Sequence, residues 1–383
     1  MEKMREPLWS LAFVRVTLAT MVVFFGLYFL VLALPGFVAS RGAGPALIGW
    51  LVALPSLTAA AARLAVSGSP VRRFGQKPFL LVGLILFAVA SAGHALLPGR
   101  LGLFTSRVLL GIGWGWTSTA LGTLVTQLTP ASRRGEAIGI WGMAPTIAMA
   151  AGPATGALLL SVGGHEAVFH VAGGLALLSA ALVATVREPR GAAVEAPQTG
   201  GLLSNIPRGA ILPSAVALVS SLSYGVVIAF LPLEFAGNPR RAAAWFTLYA
   251  ACIMIARPLL GRLSDRVGRL AIIHPTLLLG AAGMALLGLR SPGALWASAL
   301  LYGVGVGGGA FPGLLALTVD RSPHDQRVAA LAVYFTAYDL SIAAGAALMG
   351  PLYAWGGLPA VSFAAAAGIV IGQLMLLRAR SAS

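Results

Sequence analysis

Of the eleven acidic residues in this 383-residue chain, only Asp339 falls deep inside an apolar stretch. Counted from Gln326 at ~1.5 Å per helical residue, it lies about 20 Å along, near the middle of a hydrocarbon slab. An isolated carboxylate there is poorly solvated, which suits a group that loads and releases protons or binds a substrate. The alternative is a structural hydrogen bond to a neighbouring helix. Arg107, in Arg107-Val108-Leu109-Leu110-Gly111-Ile112-Gly113, is a second charge inside an apolar run. Such a residue costs about 2.5–3.5 kcal/mol on insertion scales, so it faces protein or a water-filled space, or else reaches out to the surface. Glu234 ends an apolar run, placed either to take part in proton coupling or simply to meet water.

The densest charge is an island between two apolar runs, Gly261-Arg262-Leu263-Ser264-Asp265-Arg266-Val267-Gly268-Arg269. A fainter copy begins at Gly68 and includes Arg72, Arg73, Gly75 and Lys77. Gly68 and Gly75 recur 193 positions later as Gly261 and Gly268, while Arg72 stands where Asp265 does. Glycine admits a tight turn. Asp265 is placed to cap the helix that follows and to pair with Arg269 or a neighbouring helix end.

The elements that must hold these residues follow from composition. With 58% hydrophobic residues, 10% charged and a mean hydropathy of +0.88, the chain is far from the soluble norm of roughly 25% charged. A net charge of +15 does not make a nucleic-acid surface, because the cations punctuate apolar runs instead of lining one face. The single cysteine, Cys252, rules out an intrachain disulfide and a cysteine-based metal site. The histidines have no paired metal-ligand spacing, so neither a metal, a cofactor nor an enzyme is expected. Apolar runs of about 20 residues predict an all-α integral membrane protein, since only helices satisfy their own backbone in lipid and no strand alternation is present. The predicted spans are 11–34, 45–66, 78–97, 101–127, 134–160, 166–186, 209–235, 241–263, 270–289, 292–318, 326–350 and 357–378.

These twelve divide into a half at 1–186, a Pro- and Gly-rich linker at 187–208, and a half at 209–383. Pro35 and Pro232 are expected to end the first helix of each half. Gly111, Gly113 and Gly115 meet Gly305, Gly307 and Gly309 at an offset of 194, and Gly156 meets Gly350. A sustained offset signals duplication. On alternate sides of the spans, seventeen lysines and arginines face five: Arg41, Arg100, Arg240, Arg241 and Arg290. The positive-inside bias puts both termini and the linker in the cytoplasm.

Twelve helices in two halves, with the charged loop between helices 2–3 and again between 8–9, resemble the major facilitator superfamily of secondary transporters. Gly261, Asp265, Arg266, Gly268 and Arg269 match that family's Gly-x-x-x-Asp-Arg-x-Gly-Arg pattern. The resemblance implies a loop that latches the cytoplasmic gate; the alternative for Arg266 and Arg269 is that they simply hold the loop in the cytoplasm. The Arg107 segment resembles a family pattern associated with proton transfer in exporters. In helix 5, Gly139, Gly152, Pro153 and Gly156 resemble an exporter signature, with Ala148 and Ala157 in place of two glycines. Phe230-Leu231-Pro232, Trp245 to Ala250, Ala256-Arg257-Pro258 and Ala337-Tyr338-Asp339 resemble bacterial arabinose-efflux-like and drug-efflux permeases.

The resemblance further implies parallel halves of nested inverted repeats, alternating access, and a cavity lined by helices 1, 4, 7 and 10. Those helices offer Tyr28, Trp114, Ser118, Tyr224 and Tyr302, with Tyr334 and Tyr338 beside Asp339. Either packing or substrate contact accounts for such aromatics. The expected function is proton-coupled export, by antiport, of small organic molecules across a bacterial-type inner membrane, the chain acting as a monomer. An uptake symporter or uniporter, with Arg107 holding an anionic substrate, is the alternative. The unequal loop copies give an asymmetric expectation. Asp265→Asn should shift the conformational balance, read as a change in labelling of single cysteines placed along the transport path, whereas Arg72→Asn should only weaken an anchor. Equal effects at both positions would reduce the loop to a topology signal.

Overall fold

The computed structural model describes residues 9–66, 75–97, 99–130, 133–188, 207–323 and 326–381. Gly68, Arg72 and most of the linker lie outside them. The described residues form helices and no strand. In chain order these are α1 (Leu11–Ser40), α2 (Pro45–Val66), α3 (Lys77–Leu96) and α4 (Gly99–Gln127). A single run, Arg134–Ala184, comes next. After the linker follow α7 (Arg208–Glu234), α8 (Pro239–Val267), α9 (Arg269–Leu287), α10 (Pro292–Asp320), α11 (Arg327–Ala347) and α12 (Gly350–Ser381).

Eleven of these are long and apolar enough to cross a membrane. The 51-residue run at Arg134–Ala184 would measure roughly 75 Å as one helix, over twice the ~30 Å hydrocarbon core. It breaks at Gly164 (φ 67°, ψ −171°) into α5 (134–163) and α6 (165–184), which makes twelve crossings. Gly357 (φ 63°, ψ −157°) breaks α12 in the same way, 193 residues later. Gly75 (φ 80°) and Gly268 (φ 94°) share that offset. Side-chain-bearing residues rarely enter this left-handed region, so the duplication is written in backbone geometry as well as in residue type.

The prolines behave differently from expectation. Pro35 sits inside α1, which continues to Ser40, and Pro232 sits inside α7, which continues to Glu234. A proline deletes one donor, and residues beyond it still bond back along the helix, so both helices run through.

The chain divides into two compact units. The first comprises Met1–Leu30 with Thr58–Gln198, and the second Val31–Leu57 with Thr199–Ser383. The end of α1 and the first half of α2 therefore belong to the second unit. In lipid, apolar surface gives helices no reason to prefer each other, so close packing of small residues and interhelical hydrogen bonds must hold them. Within unit one, a Cβ on Gly113 of α4 would lie 2.5 Å from the Gly83 carbonyl of α3. Trp141 Nε1 donates to Thr20 Oγ1 (2.8 Å), and Ser179 Oγ donates to the Ala19 carbonyl (3.0 Å). Within unit two, Gly345 of α11 meets the backbone of α7 at Leu222, and Gly49 of α2 meets Ala346. A Cβ on Gly305 would sit 2.5 Å from the Gly280 nitrogen, so α10 lies backbone-to-backbone on α9.

At one end of unit one a carboxylate from beyond α6 caps the start of α3. Glu188, just beyond α6, accepts from the backbone N–H groups of Gln76 (2.7 Å) and Lys77 (3.1 Å), satisfying the start of α3. Reciprocally, Lys77 Nζ donates to the carbonyls of Ala184 (2.6 Å) and Val186 (2.8 Å) at the end of α6. Orphan donors of one helix and orphan acceptors of another are met by two opposite charges, which the helix dipoles also favour. Removing the carboxylate with Glu188→Ala should cost about 1 kcal/mol, the size of a lost cap, and lower the unfolding midpoint of the detergent-solubilised protein by a few degrees. An unchanged midpoint would mean that water caps α3 equally well.

Candidate functional site

In unit two, α7, α8, α10 and α11 bring one polar and aromatic cluster together. Trp245 and Tyr249 are four residues apart on α8 and so share a face. Their rings stack at 5.3 Å, and Tyr249 stacks on Tyr302 at 5.5 Å and on Tyr224 at 6.2 Å. The buried hydroxyl of Tyr302 shares a 2.8 Å hydrogen bond with Ser223, and Trp245 Nε1 donates to Ser298 Oγ at 2.8 Å. Tyr334 is fully buried and donates to the Phe311 carbonyl at 2.7 Å. Phe311 in turn packs on Tyr338 at 4.6 Å. Tyr302 and Tyr334 thus have their hydroxyls engaged inside the unit, while Tyr224 and Tyr338 are half-buried.

Through the middle of α10, residues Gly303–Ala310 wind as a π-helix. Wide turns of this kind disturb the regular hydrogen-bond ladder and recur at functional sites. Here Arg257 of α8 donates from Nε to the Gly307 carbonyl at 3.0 Å. The glycine leaves room for more than the arginine, since a Cβ at 307 would lie 3.1 Å from the Tyr249 hydroxyl. Arg257 is exposed although it sits mid-helix. The lipid-facing side of α8 carries Ile255 (65% exposed) and Leu259 (59%). Two residues beyond Ile255, Arg257 is turned by about 200° and points away from that side. An exposed charge that does not face lipid faces water.

Asp339 lies twelve residues into α11, about 18 Å from its start, and Arg257 lies about 15 Å from the end of α8 at Val267. Both are within electrostatic range of Tyr338, and Arg257 also acts on Tyr249 and Tyr334. Asp339 is half-buried. A carboxyl, a guanidinium and half-buried aromatic faces at one depth can hold a proton, a charge-bearing solute or a flat apolar body.

The unit-one candidates lie in different surroundings. Arg107 on α4 is 5% exposed, with Nε and Nη2 lacking any partner. Beside it on α3 is fully buried His94, with Phe169 tilted against the ring at 5.3 Å. Trp114 packs edge-on to Phe24 at 4.8 Å, and Ser118 accepts from Arg63 Nη2 at 3.2 Å. Tyr28 packs onto the helix 5 motif, its Cβ 2.9 Å from where a Gly152 Cβ would be, with Pro153 and Gly156 buried alongside.

In the charged loop, Gly268 makes the turn between α8 and α9 and no side chain caps α9, so Asp265 acts by pairing alone. Arg269 binds Asp265 and, through Nε, Asp320 at the end of α10 (2.9 Å). The loop thereby ties α8, α9 and α10 together. Arg266 and Gly261 stand exposed. Glu234 is not merely reaching water: Arg290 Nη2 binds Oε1 at 2.9 Å and Tyr353 donates to Oε2 at 2.7 Å.

Arg257, Tyr249, Ser223 and Asp320 were not singled out from the sequence as site residues. Arg257 carried a usable signal, being a charge inside the apolar run 241–263 that meets the same insertion-cost argument as Arg107. Asp320 and Ser223 carried none, because their partners are 51 and 79 residues away.

The family model of the Major Facilitator Superfamily matches residues 16–232 and 213–382. The uncharacterized transporter YhhS of Escherichia coli K12 is 27% identical over 279 residues, covering 72% of this chain and 67% of that one. The tetracenomycin C resistance and export protein of Streptomyces glaucescens is 40% identical over 130 residues, covering 33% of this chain and only 24% of its own. The crystal structure of the nucleoside transporter NupG superposes with a TM-score of 0.77 at 12% identity, covering 96% of this chain and 99% of that chain.

The buried pair of Ser223 and Tyr302 has a measurable consequence. Ser223 Oγ also donates to the Ser220 carbonyl at 2.6 Å, so Ser223→Ala leaves the buried Tyr302 hydroxyl unpartnered and should cost about 1–3 kcal/mol, whereas Tyr302→Phe leaves Ser223 bonded and should cost less. The double variant should cost less than the two singles added, because no orphan remains. Chemical unfolding in detergent measures the cycle, and strict additivity would mean that the two hydroxyls do not bond.

Proposed function

This chain belongs to the Major Facilitator Superfamily, and on that premise we propose that it is a proton-driven exporter of small organic molecules working by alternating access. The observation that carries the reading is the position of Asp339. Among the described acids it is the farthest from a helix end. Protonation removes a charge from a poorly solvated place, and a guanidinium brought close to it would favour giving the proton up again. Arg257 shares a unit with Asp339, so it takes the tuning role expected of Arg107. Tyr224 and Tyr338 offer the substrate flat faces, which fits organic molecules with apolar bodies.

Arg269, between Asp265 and Asp320, latches the cytoplasmic ends of α8, α9 and α10. Both termini lie in the cytoplasm, and one copy in a bacterial-type inner membrane suffices. Export is favoured by the relative named for tetracenomycin C resistance and export. A second reading, uptake of an anionic metabolite, draws on the unpartnered nitrogens of buried Arg107, which would then hold the anion.

Comparing drug and metabolite sensitivity of a deletion strain with and without the protein identifies a substrate to follow. In everted vesicles, Asp339→Asn should then reduce proton-driven accumulation to background while expression stays normal. Full coupling in that variant removes Asp339 from the mechanism. Accumulation in right-side-out vesicles that an uncoupler leaves unchanged turns the assignment to uptake.

A further inference from the structure

We propose that unit two binds an anionic phospholipid, seating its phosphate in a pocket at the end of the unit opposite the Gly261–Arg269 loop. The pocket encloses about 290 Å³, and its wall includes Glu234, Arg241, Arg290, Ser291, Trp296 and Leu358. Its polar residues stand at helix ends. Glu234 is the last residue of α7, Arg241 the third of α8, and Arg290 lies between α9 and α10. The ends of apolar helices mark the boundary of the hydrocarbon, so this is headgroup level.

The charges favour an oxyanion. Two arginines face one carboxylate, and both oxygens of that carboxylate are taken, Oε1 by Arg290 and Oε2 by the Tyr353 hydroxyl. Arg241 makes no ion pair among the described residues, and the Arg290 side chain remains 55% exposed after pairing. A quaternary or primary ammonium brought here would meet two guanidinium groups and a single carboxylate already paired with one of them. Phosphate suits the forked donors of arginine.

The backbone is built around this arrangement. Arg290 (φ 55°) is the one non-glycine residue with positive φ among the described residues, a conformation that persists only where its surroundings impose it. Opposite it, Gly357 also has positive φ, and a Cβ there would lie 2.7 Å from Arg290 Nη2. Glu234 is thus a positioning residue for Arg290, and Gly357 makes the space the guanidinium occupies.

The apolar side indicates that the anion carries a tail. Trp296 is 39% exposed, and Leu300, one turn deeper on the same face of α10, is 47% exposed. That strip leads from the pocket along the part of α10 that lies in hydrocarbon, and tryptophan is itself an interface residue. A phosphate at the helix ends with an acyl chain along Trp296 and Leu300 is a phospholipid in its own plane. The inference needs only that the chain spans a bilayer, and it stands or falls apart from proton coupling at Asp339.

The test titrates the purified full-length protein in detergent with phosphatidylglycerol, phosphatidylcholine or glycerol 1-phosphate, following bound lipid by native mass spectrometry and the unfolding midpoint. Phosphatidylglycerol should bind saturably and raise the midpoint, and Arg241→Gln or Arg290→Gln should each weaken it about fivefold. Arg241→Gln breaks no ion pair and keeps the test readable if Arg290→Gln fails to fold. Equal binding of phosphatidylcholine overturns the charge argument, and equal stabilisation by glycerol 1-phosphate overturns the lipid in favour of a soluble anion. Wild-type phosphatidylglycerol affinity in a folded Arg241→Gln variant removes the pocket as the site.

Discussion

Hydrocarbon supplies no hydrogen bonds, so every polar group carried into it must find its partner within the protein. In unit two that constraint falls on the buried Gly307 carbonyl, which is met by a bond from Arg257. That bond couples a guanidinium on α8 to the π-helical centre of α10. The small residues around it let α10 lie against α9 with backbone touching backbone. The aromatic stack of Trp245, Tyr249 and Tyr302 fills the space beside this contact and spends its polar ends on Ser298 and Ser223. Remove the requirement for internal partners, and neither the winding of α10 nor the choice of serine at those positions has a reason.

The two units meet the same constraint unequally. In unit two, polar groups are linked into a chain of tyrosines, serines and an arginine that reaches the neighbourhood of Asp339. In unit one, Arg107 is buried beside His94 with Nε and Nη2 unpartnered, and the orphans of unit two are neutral groups on Ser214, Ser220, Ser362 and His274. At the helix ends the inequality is of another kind. Unit two satisfies Arg269 with two carboxylates, Asp265 within its own loop and Asp320 from α10. In unit one Glu188 caps the start of α3 through the backbone, a task that no side chain performs for α9.

Most of the fold was legible in the sequence, because crossing a bilayer requires apolar runs of a set length. All twelve spans appear, including the separation of 134–160 from 166–186 that the structure makes at Gly164. The prolines were misleading: Pro35 looked like a stop, yet the helix tolerates the loss of one donor. Asp339 could be placed by counting alone, since depth is a one-dimensional property. What counting could not supply were partners distant in sequence, such as Asp320 for Arg269, Glu188 for α3 and Tyr353 for Glu234. Arg257 is a different omission. Its sequence signal is its cost in lipid, the same that marks Arg107.

The paired left-handed glycines at Gly75 and Gly268, and at Gly164 and Gly357, make the chain its own control experiment. Two descendants of one ancestral segment have drifted side by side in one molecule, under the same folding machinery and in the same membrane. Where they still agree is in dihedral angles that side chains cannot easily enter; where they disagree is in the charges hung on those angles, arginine at 72 against aspartate at 265. A chain built this way can acquire new cargo or a new coupling arrangement by exchanging surface chemistry in one copy while the other holds the inherited frame.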